Sequence, residues 1–145
     1  MLKLGFCGDD CNVCPRYIAT QSGDVEQLRK VAALWFKVGY RDRIVPPEEL
    51  ICHGCSSTWC NVLCNRNVRE CALEKDVANC GKCENYPCEK VLKVFERTES
   101  FAETCKEKCS KEEYECLQKA FFSKRKNLNR VNREWLSQTK SKYPN

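Results

Sequence analysis

The spacing of the cysteines constrains this chain more than any other feature. Three pairs leave two residues between the thiols, and a tight turn of that length presents both sulfurs to one ion. Soft thiolates select zinc, Cu(I) or iron–sulfur clusters, and several such pairs in one chain are a strong metal signal. Glycine in "CHGC" and "CGKC" suits the turns, since it accepts positive φ without strain. The pairs are Cys11/Cys14, Cys52/Cys55 and Cys80/Cys83.

Most of the 14 cysteines lie between residues 7 and 88, and we predict that all of these bind metal. Turn-spaced pairs do not arise from helical periodicity, so burial as small apolar residues explains them poorly. We expect two or three zinc ions per chain, with an iron–sulfur cluster or Cu(I)–thiolate storage as alternatives. The predicted ligands are Cys7, Cys11, Cys14, Cys52, Cys55, Cys60, Cys64, Cys71, Cys80, Cys83 and Cys88.

Two other uses of these cysteines fit less well. Cys7-x3-Cys11-x2-Cys14 has the spacing of the radical-SAM cluster motif, but those enzymes need a large partial barrel and no βα alternation follows. The even cysteine count permits disulfides. The start "MLKLGFCGDD" does not resemble a signal peptide, so we expect the cytoplasm, where thiols stay reduced. No apolar run approaches the ~20 residues that span a bilayer, and we expect no membrane partner.

The histidine content argues against catalysis. His53 is the only histidine, and its place between Cys52 and Cys55 predicts a surface position. Without a second histidine, His-based acid–base or Cys–His nucleophilic chemistry has little to work with. Four-thiolate zinc sites are closed, with no open position for water or substrate. We therefore expect a binding or interaction module with a protein partner and no enzyme activity.

The last three cysteines have a different spacing. Cys105, Cys109 and Cys116 fall on one stripe of a helix, and Phe101 and Ala120 extend that stripe. A core-facing helix has this pattern, so we favour core packing for these thiols and keep an additional metal site as the alternative.

Positive charge is concentrated at the C-terminal end. Residues 123–145 hold seven lysines and arginines and one acid, Glu134, a net of +6 in a chain whose total is +5. Such a segment could contact nucleic acid, with Trp135 stacking on an unpaired base. We favour a basic helix that packs Leu128, Val131 and Trp135 on the body. The candidate nucleic-acid or anion contacts are Lys124, Arg125, Lys126, Arg130 and Arg133.

Hydrophobic periodicity predicts helices along most of the chain. "DVEQLRKVAALWFKVG" is amphipathic, with Asp24 at its N-cap. "YPCEKVLKVFERT" predicts a helix with Pro87 in its first position, and Ser110-x-x-Glu113 has the pattern of a capping box. Residues 51–86 are short of apolar side chains, so metal must organise them. We predict a small, mainly α protein with few or no strands, in which irregular metal-stabilised knuckle loops join amphipathic helices.

Three motifs together, "CGDDCNVCPRYIAT", "ICHGC" and "CALEKDVANCGKCENYPCEK", resemble an uncharacterised cysteine-rich family of bacteria and archaea, domain of unknown function 3795. The similarity covers roughly residues 5–95 and implies a small metal-binding module, with zinc as its metal. The spacing of Cys60 and Cys64 departs from the family pattern. We divide the chain into a cysteine-rich metal-binding core, residues 1–98, and a helical extension with a basic tail, residues 99–145, packed on the core.

Overall fold

The computed structural model describes residues 3–55 and 66–142. Within them the chain is helical, and the predicted mainly α class is confirmed: these residues form no strand, only an isolated antiparallel bridge between Leu4 and Asp10. None of the described helices combines the length and apolarity needed to cross a membrane. The α-helices are α1 (Pro15–Ser22), α2 (Val25–Lys37), α3 (Arg66–Lys75), α4 (Glu89–Lys108), α5 (Lys111–Leu117) and α6 (Lys124–Lys142).

Short helical turns connect these elements. Three are 3-10 turns, and a π-helical turn, Gln118–Phe122, directly follows α5. Two of the 3-10 turns begin at the first thiol of a C-x-x-C pair and are capped by the second, so the predicted knuckles are regular hydrogen-bonded turns. The 3-10 turns are Cys11–Val13, Pro47–Leu50 and Cys80–Lys82.

Helix α2 forms as its sequence predicts. Asp24 is the N-cap, and its side chain accepts a hydrogen bond of 3.1 Å from the Gln27 N–H. This bond satisfies one of the donors that a helix N-terminus leaves unpaired. The apolar face of α2 is buried in the main core, and its buried members are Leu28, Val31, Ala32 and Trp35.

Helix α4 begins later than predicted. Cys88 is its N-cap and Glu89 its first residue, so the placement of Pro87 at the first helical position is wrong. The Tyr86 N–H donates to the Cys83 C=O at 3.1 Å, and this turn delays the start of the helix. Helix α4 then continues to Lys108, so the domain boundary expected after residue 98 coincides with no break in the chain's secondary structure.

The junction of α4 and α5 contains the predicted capping box. The Glu113 N–H donates to Ser110 Oγ at 3.2 Å, and the Glu113 carboxylate accepts the Ser110 N–H at 2.9 Å. Because the backbone is extended at Cys109 and Ser110, one continuous helix does not carry the stripe from Phe101 to Ala120.

The main core lies among α1, α2, α4 and α5. It contains an aromatic group in which Trp35 meets Tyr40 and Phe121 edge to face, with ring centroids 5.8 and 5.5 Å apart. A second cluster includes Phe6, Cys7 and Val68, and a third brings the fully buried Leu128 of α6 against Val91 and Phe95. Helix α6 is therefore packed on the body, with Val131 and Trp135 half-buried.

Candidate metal centres

The first C-x-x-C turn, Cys11 to Cys14, leads directly into α1. The Asp10 carboxylate accepts the backbone N–H two residues further on at 3.0 Å, and the Cys14 N–H donates to the Cys11 C=O at 3.3 Å. Cys14 is also the N-cap of α1, where burial raises the pKa of its thiol and the backbone N–H groups of Tyr17 and Arg16, at the start of the helix, act in the opposite direction. The N-terminus of a helix favours negative charge, so the position suits a thiolate.

The second C-x-x-C turn, Cys52 to Cys55, is tied to the N-terminal segment and to α1. The Phe6 N–H donates to Cys55 Sγ at 3.1 Å, and the Cys52 N–H donates to the Thr20 hydroxyl at 3.1 Å. Gly54 has φ of +93°, as predicted for the glycine of this turn. His53 between them is exposed, in the surface position expected.

These two turns bring four thiols together. Burial raises the pKa of Cys11 to about 12, and the nearby Cys55, Cys14, Asp9 and Cys52 raise it further. Burial also raises the pKa of Cys14 to about 12, with Cys52 among the groups that add to it. Four side chains from turns some forty residues apart therefore lie within electrostatic range. We call Cys11, Cys14, Cys52 and Cys55 the first quartet.

The third C-x-x-C turn, Cys80 to Cys83, repeats the construction of the first. Asn79 occupies the place of Asp10: its side chain accepts the Gly81 N–H at 2.9 Å, and the Cys83 N–H donates to the Cys80 C=O at 3.2 Å. A short polar side chain before the first cysteine thus closes both turns, because its oxygen satisfies a backbone donor that the turn leaves unpaired.

The two thiols of this turn belong to a second group of four. Burial raises the pKa of Cys80 to about 12, and Cys88, Cys83, Cys71 and Cys55 raise it further in that order. Cys71 lies on α3 and Cys88 caps α4, so two helices and one turn supply the group. We call Cys71, Cys80, Cys83 and Cys88 the second quartet. Because Cys55 affects both Cys11 and Cys80, the quartets adjoin.

The quartets are gatherings of neighbours and are not closed coordination shells. In the part of the chain that the structure describes, no group of three or more His, Cys, Asp or Glu side chains is arranged to hold a metal ion directly. Thiol side chains reorient by rotation about the Cα–Cβ bond, which is the movement needed to converge on one ion. Four thiols per group is the donor set of a tetrahedral four-cysteine zinc site, so the residues present fit zinc by number and chemistry.

The other predicted ligands lie elsewhere. Cys7 is 7% exposed and belongs to the second core cluster with Val68 and Val94, against which Cys55 and Cys80 also pack. It thus lies in an apolar cluster that a member of each quartet contacts. The other two predicted ligands, Cys60 and Cys64, lie outside the described residues.

The three C-terminal cysteines are not gathered into one site. Cys105 is fully buried in the main core, where burial raises its pKa to about 11 and Cys109 adds to the shift. Cys109 packs against the same core, whereas Cys116 is half-buried on α5. Their placement is that of core and core-edge residues.

Helix α6 holds both knuckle regions through paired contacts that the sequence reasoning missed. Asn127 Nδ2 donates to the Gly8 C=O at 3.0 Å, and Asn132 Nδ2 donates to the Gly81 C=O at 2.9 Å. The contacts are so close that a Cβ on Gly8 would lie 2.8 Å from the Lys124 C=O oxygen. The sequence signal for these contacts is a glycine in each cysteine motif together with the asparagines of the last helix.

Close packing also corrects the role predicted for Gly81. Its φ is not positive, so the expectation that glycine supplies a left-handed conformation here is wrong. A Cβ on Gly81 would lie 2.9 Å from Val131 Cγ1 and 3.0 Å from the Leu128 C=O oxygen. Glycine is needed at this position because α6 lies directly over the turn.

The first two basic residues of α6 form ion pairs with the rest of the protein. Lys124 is buried, with Nζ 2.6 Å from Asp9 Oδ1. Arg125 pairs with Glu99 at 2.6 Å and lies over the Phe95 ring. Of the five candidate anion contacts, those that remain exposed are Lys126, Arg130 and Arg133.

Comparison with known families agrees with the motifs. The chain belongs to the family described as protein of unknown function (DUF3795), whose model matches residues 3–93. The match spans both quartets, α1 to α3 and the start of α4, and leaves α5 and α6 outside. No curated protein and no solved structure matches the chain.

Proposed function

We propose that this DUF3795 member is a metal-binding module that holds two zinc ions, one in each quartet. The observation that carries the proposal is that eight thiols fall into two neighbouring groups of four, whose members lie within electrostatic range of Cys11 in one group and of Cys80 in the other. Zinc in structural sites is four-coordinate and tetrahedral, and thiolate sulfur is one of its preferred ligands. Two ions would use the first quartet and the second quartet completely.

The electrostatics of the thiols support a bound cation. Cys11 and Cys80 resist ionisation, because burial raises the pKa of each thiol and the neighbouring thiols raise it further. A bound dication reverses this preference and deprotonates the thiols that coordinate it. The backbone N–H group of Phe6, which donates to Cys55, would stabilise the thiolate of that residue.

Closed four-thiolate sites favour a structural role over catalysis, since they leave no position for water or substrate. The metal would fasten the N-terminal segment, the Cys52–Cys55 turn, α3 and the start of α4 to one another. Structural zinc contributes about 10–16 kcal/mol in zinc-finger peptides at pH 7. The role we propose is therefore a binding or interaction module in a reducing compartment, the cytoplasm, and not an enzyme.

We propose a protein partner ahead of nucleic acid. Lys124 and Arg125 already pair with Asp9 and Glu99, and Arg130 pairs with Glu134. Among the described residues of α6, the exposed cations outside these ion pairs are Lys126, Arg133 and Lys140. Binding of a labelled single strand by the full chain should be measured beside a variant in which Lys126, Arg130 and Arg133 are glutamine. Salt-sensitive binding that the variant loses would favour nucleic acid.

The metal proposal is tested on protein purified anaerobically. Zinc and Cu(I) sites held by thiolates are colourless, whereas an iron–sulfur cluster is brown, so the visible spectrum separates the two classes. Metal analysis then divides zinc from copper. We expect a colourless protein with zinc, and stoichiometric iron and sulfide would overturn the proposal in favour of a redox or sensing protein.

A further inference from the structure

A cavity of about 390 Å³ lies between the first quartet and the aromatic part of the main core. Its volume falls within the range of small-molecule binding sites, about 300–1,000 Å³. Aromatic side chains form much of its wall, and those on the side of the main core are Trp35, Tyr40, Phe101, Phe121 and Phe122. This wall suits a ligand whose body is apolar or aromatic.

One donor in the wall lacks an acceptor. The Trp35 side chain is 3% exposed, and its Nε1–H makes no hydrogen bond with any described residue. Buried polar groups in folded proteins are nearly always paired, so an orphan donor indicates a missing partner. The Nε1 atom is itself covered, so a small movement of the indole would let a ligand oxygen in the cavity supply the acceptor.

The charged groups around the cavity are mostly positive. Arg16, Arg69, Arg97 and Lys124 line it with a single carboxylate, Asp9. Lys124 pairs with Asp9, and the side chains of Arg16 and Arg69 donate to backbone carbonyl groups. Arg97 is exposed and forms no hydrogen bond or ion pair with the described residues. Arg97 therefore brings to the cavity wall a positive charge that no described residue pairs with.

We propose that this cavity binds an oxo-carboxylate, a small acid with an apolar or aromatic body and a carbonyl oxygen within that body. The body packs among the aromatic side chains, the carbonyl oxygen accepts the Trp35 N–H, and the carboxylate pairs with Arg97. This binding site is distinct from the proposed metal role, although the first quartet forms another part of the cavity wall.

The probe is 3-benzoylpropionate, which carries an aromatic ring, a ketone and a carboxylate. Calorimetric titration of the full chain compares it with 4-phenylbutanoate, which lacks the ketone, and with the methyl ester, which lacks the charge. We expect saturable 1:1 binding that each omission weakens on the order of tenfold. Trp35→Phe should bind 3-benzoylpropionate no more tightly than 4-phenylbutanoate. Arg97→Gln should bind the acid no more tightly than its methyl ester. Arg133 is exposed and does not line the cavity, so Arg133→Gln is the control and should keep both differences in affinity.

A filled cavity provides the second test. Val38→Phe adds volume at a buried residue that also lines the cavity, so the ring can occupy the empty space, and the variant should lose probe binding with a smaller loss of Tm than Val31→Phe. Val31→Phe is the matched control: this valine is buried on α2 but does not line the cavity, so overpacking should lower Tm and spare binding by the folded protein. Metal content is measured for each variant, so that loss of the ions is not mistaken for loss of the ligand. Absent probe binding, or binding that Val38→Phe leaves intact, would overturn the proposal.

Discussion

The backbone N–H of Phe6 donates a hydrogen bond of 3.1 Å to Cys55 Sγ in the first quartet. The C=O of the same residue accepts the N–H of Cys80, in the second quartet, at 3.0 Å. One residue of the N-terminal segment thus joins a member of each group. The quartets consequently form one structural unit, and distortion of either is expected to reach the other.

The two hydrogen bonds from Asn127 and Asn132 of α6, which we call the α6 clamp, should contribute to stability although α6 lies outside the family match. Asn132→Ala removes the donor to the buried Gly81 C=O. Leaving that carbonyl unpaired should lower the free energy of unfolding by about 1–3 kcal/mol. Denaturant unfolding measures the change. Ser137→Ala, exposed on the same helix, is the control and should stay within about 0.5 kcal/mol; equal effects would argue against the clamp.

Cys105 should behave as a core residue. Cys105→Ser buries a hydroxyl in the apolar main core, which should cost about 1–3 kcal/mol of unfolding free energy. The metal content should stay the same as in the wild type. Cys116→Ser, at a half-buried position on α5, should cost less. Loss of a whole metal ion from the Cys105 variant would instead identify an additional site.

Cys7 should support the quartets without supplying a ligand to either. It lies in the apolar second core cluster, against which Cys55 and Cys80 pack. Cys7→Ala should lower the free energy of unfolding by about 1 kcal/mol, a typical cost for one substitution, and should leave both ions bound. A variant that stays folded but loses an ion would show that Cys7 is a ligand.

The capping box at α5 should make stability depend on pH. The Lys37 ammonium, and then the Ser110 N–H, lower the pKa of Glu113 below its ordinary 4.5. A carboxyl of this kind stabilises the fold above its unfolded pKa, and the stabilisation is lost as pH falls through the folded pKa. Wild type should therefore have a higher Tm than Glu113→Gln at neutral pH, and the difference should shrink below pH 4.5. Glu112→Gln, in the same turn, is the control; a pH-independent difference would contradict the prediction.

Local features of the fold could be predicted from the sequence because their causes are local. The Asp24 cap, the Ser110 capping box and the C-x-x-C turns depend on residues within one turn of each other. The period of the apolar residues identified the buried face of α2 for the same reason. Spacing alone also singled out the three turns that contribute thiols to the quartets.

Features that depend on tertiary contacts could not be predicted. The sequence does not reveal that the turn at Cys11 meets the turn at Cys52, since the pairing depends on how α1 and α2 pack. The role of Gly81 and the burial of Lys124 both follow from the docking of α6, which no local pattern specifies. The late start of α4 has a local cause instead, the turn closed by Tyr86 and Cys83, which the helical pattern of the apolar residues does not reveal.

The most direct test of two zinc sites is native mass spectrometry of protein purified under reducing conditions. Wild type is compared with Cys11→Ser/Cys14→Ser, which removes half of the first quartet, and with Cys80→Ser/Cys83→Ser, which removes half of the second. We predict two zinc ions in the wild type and one in each double variant. A wild type without zinc, or a double variant that keeps both ions, would contradict the assignment of one ion to each quartet.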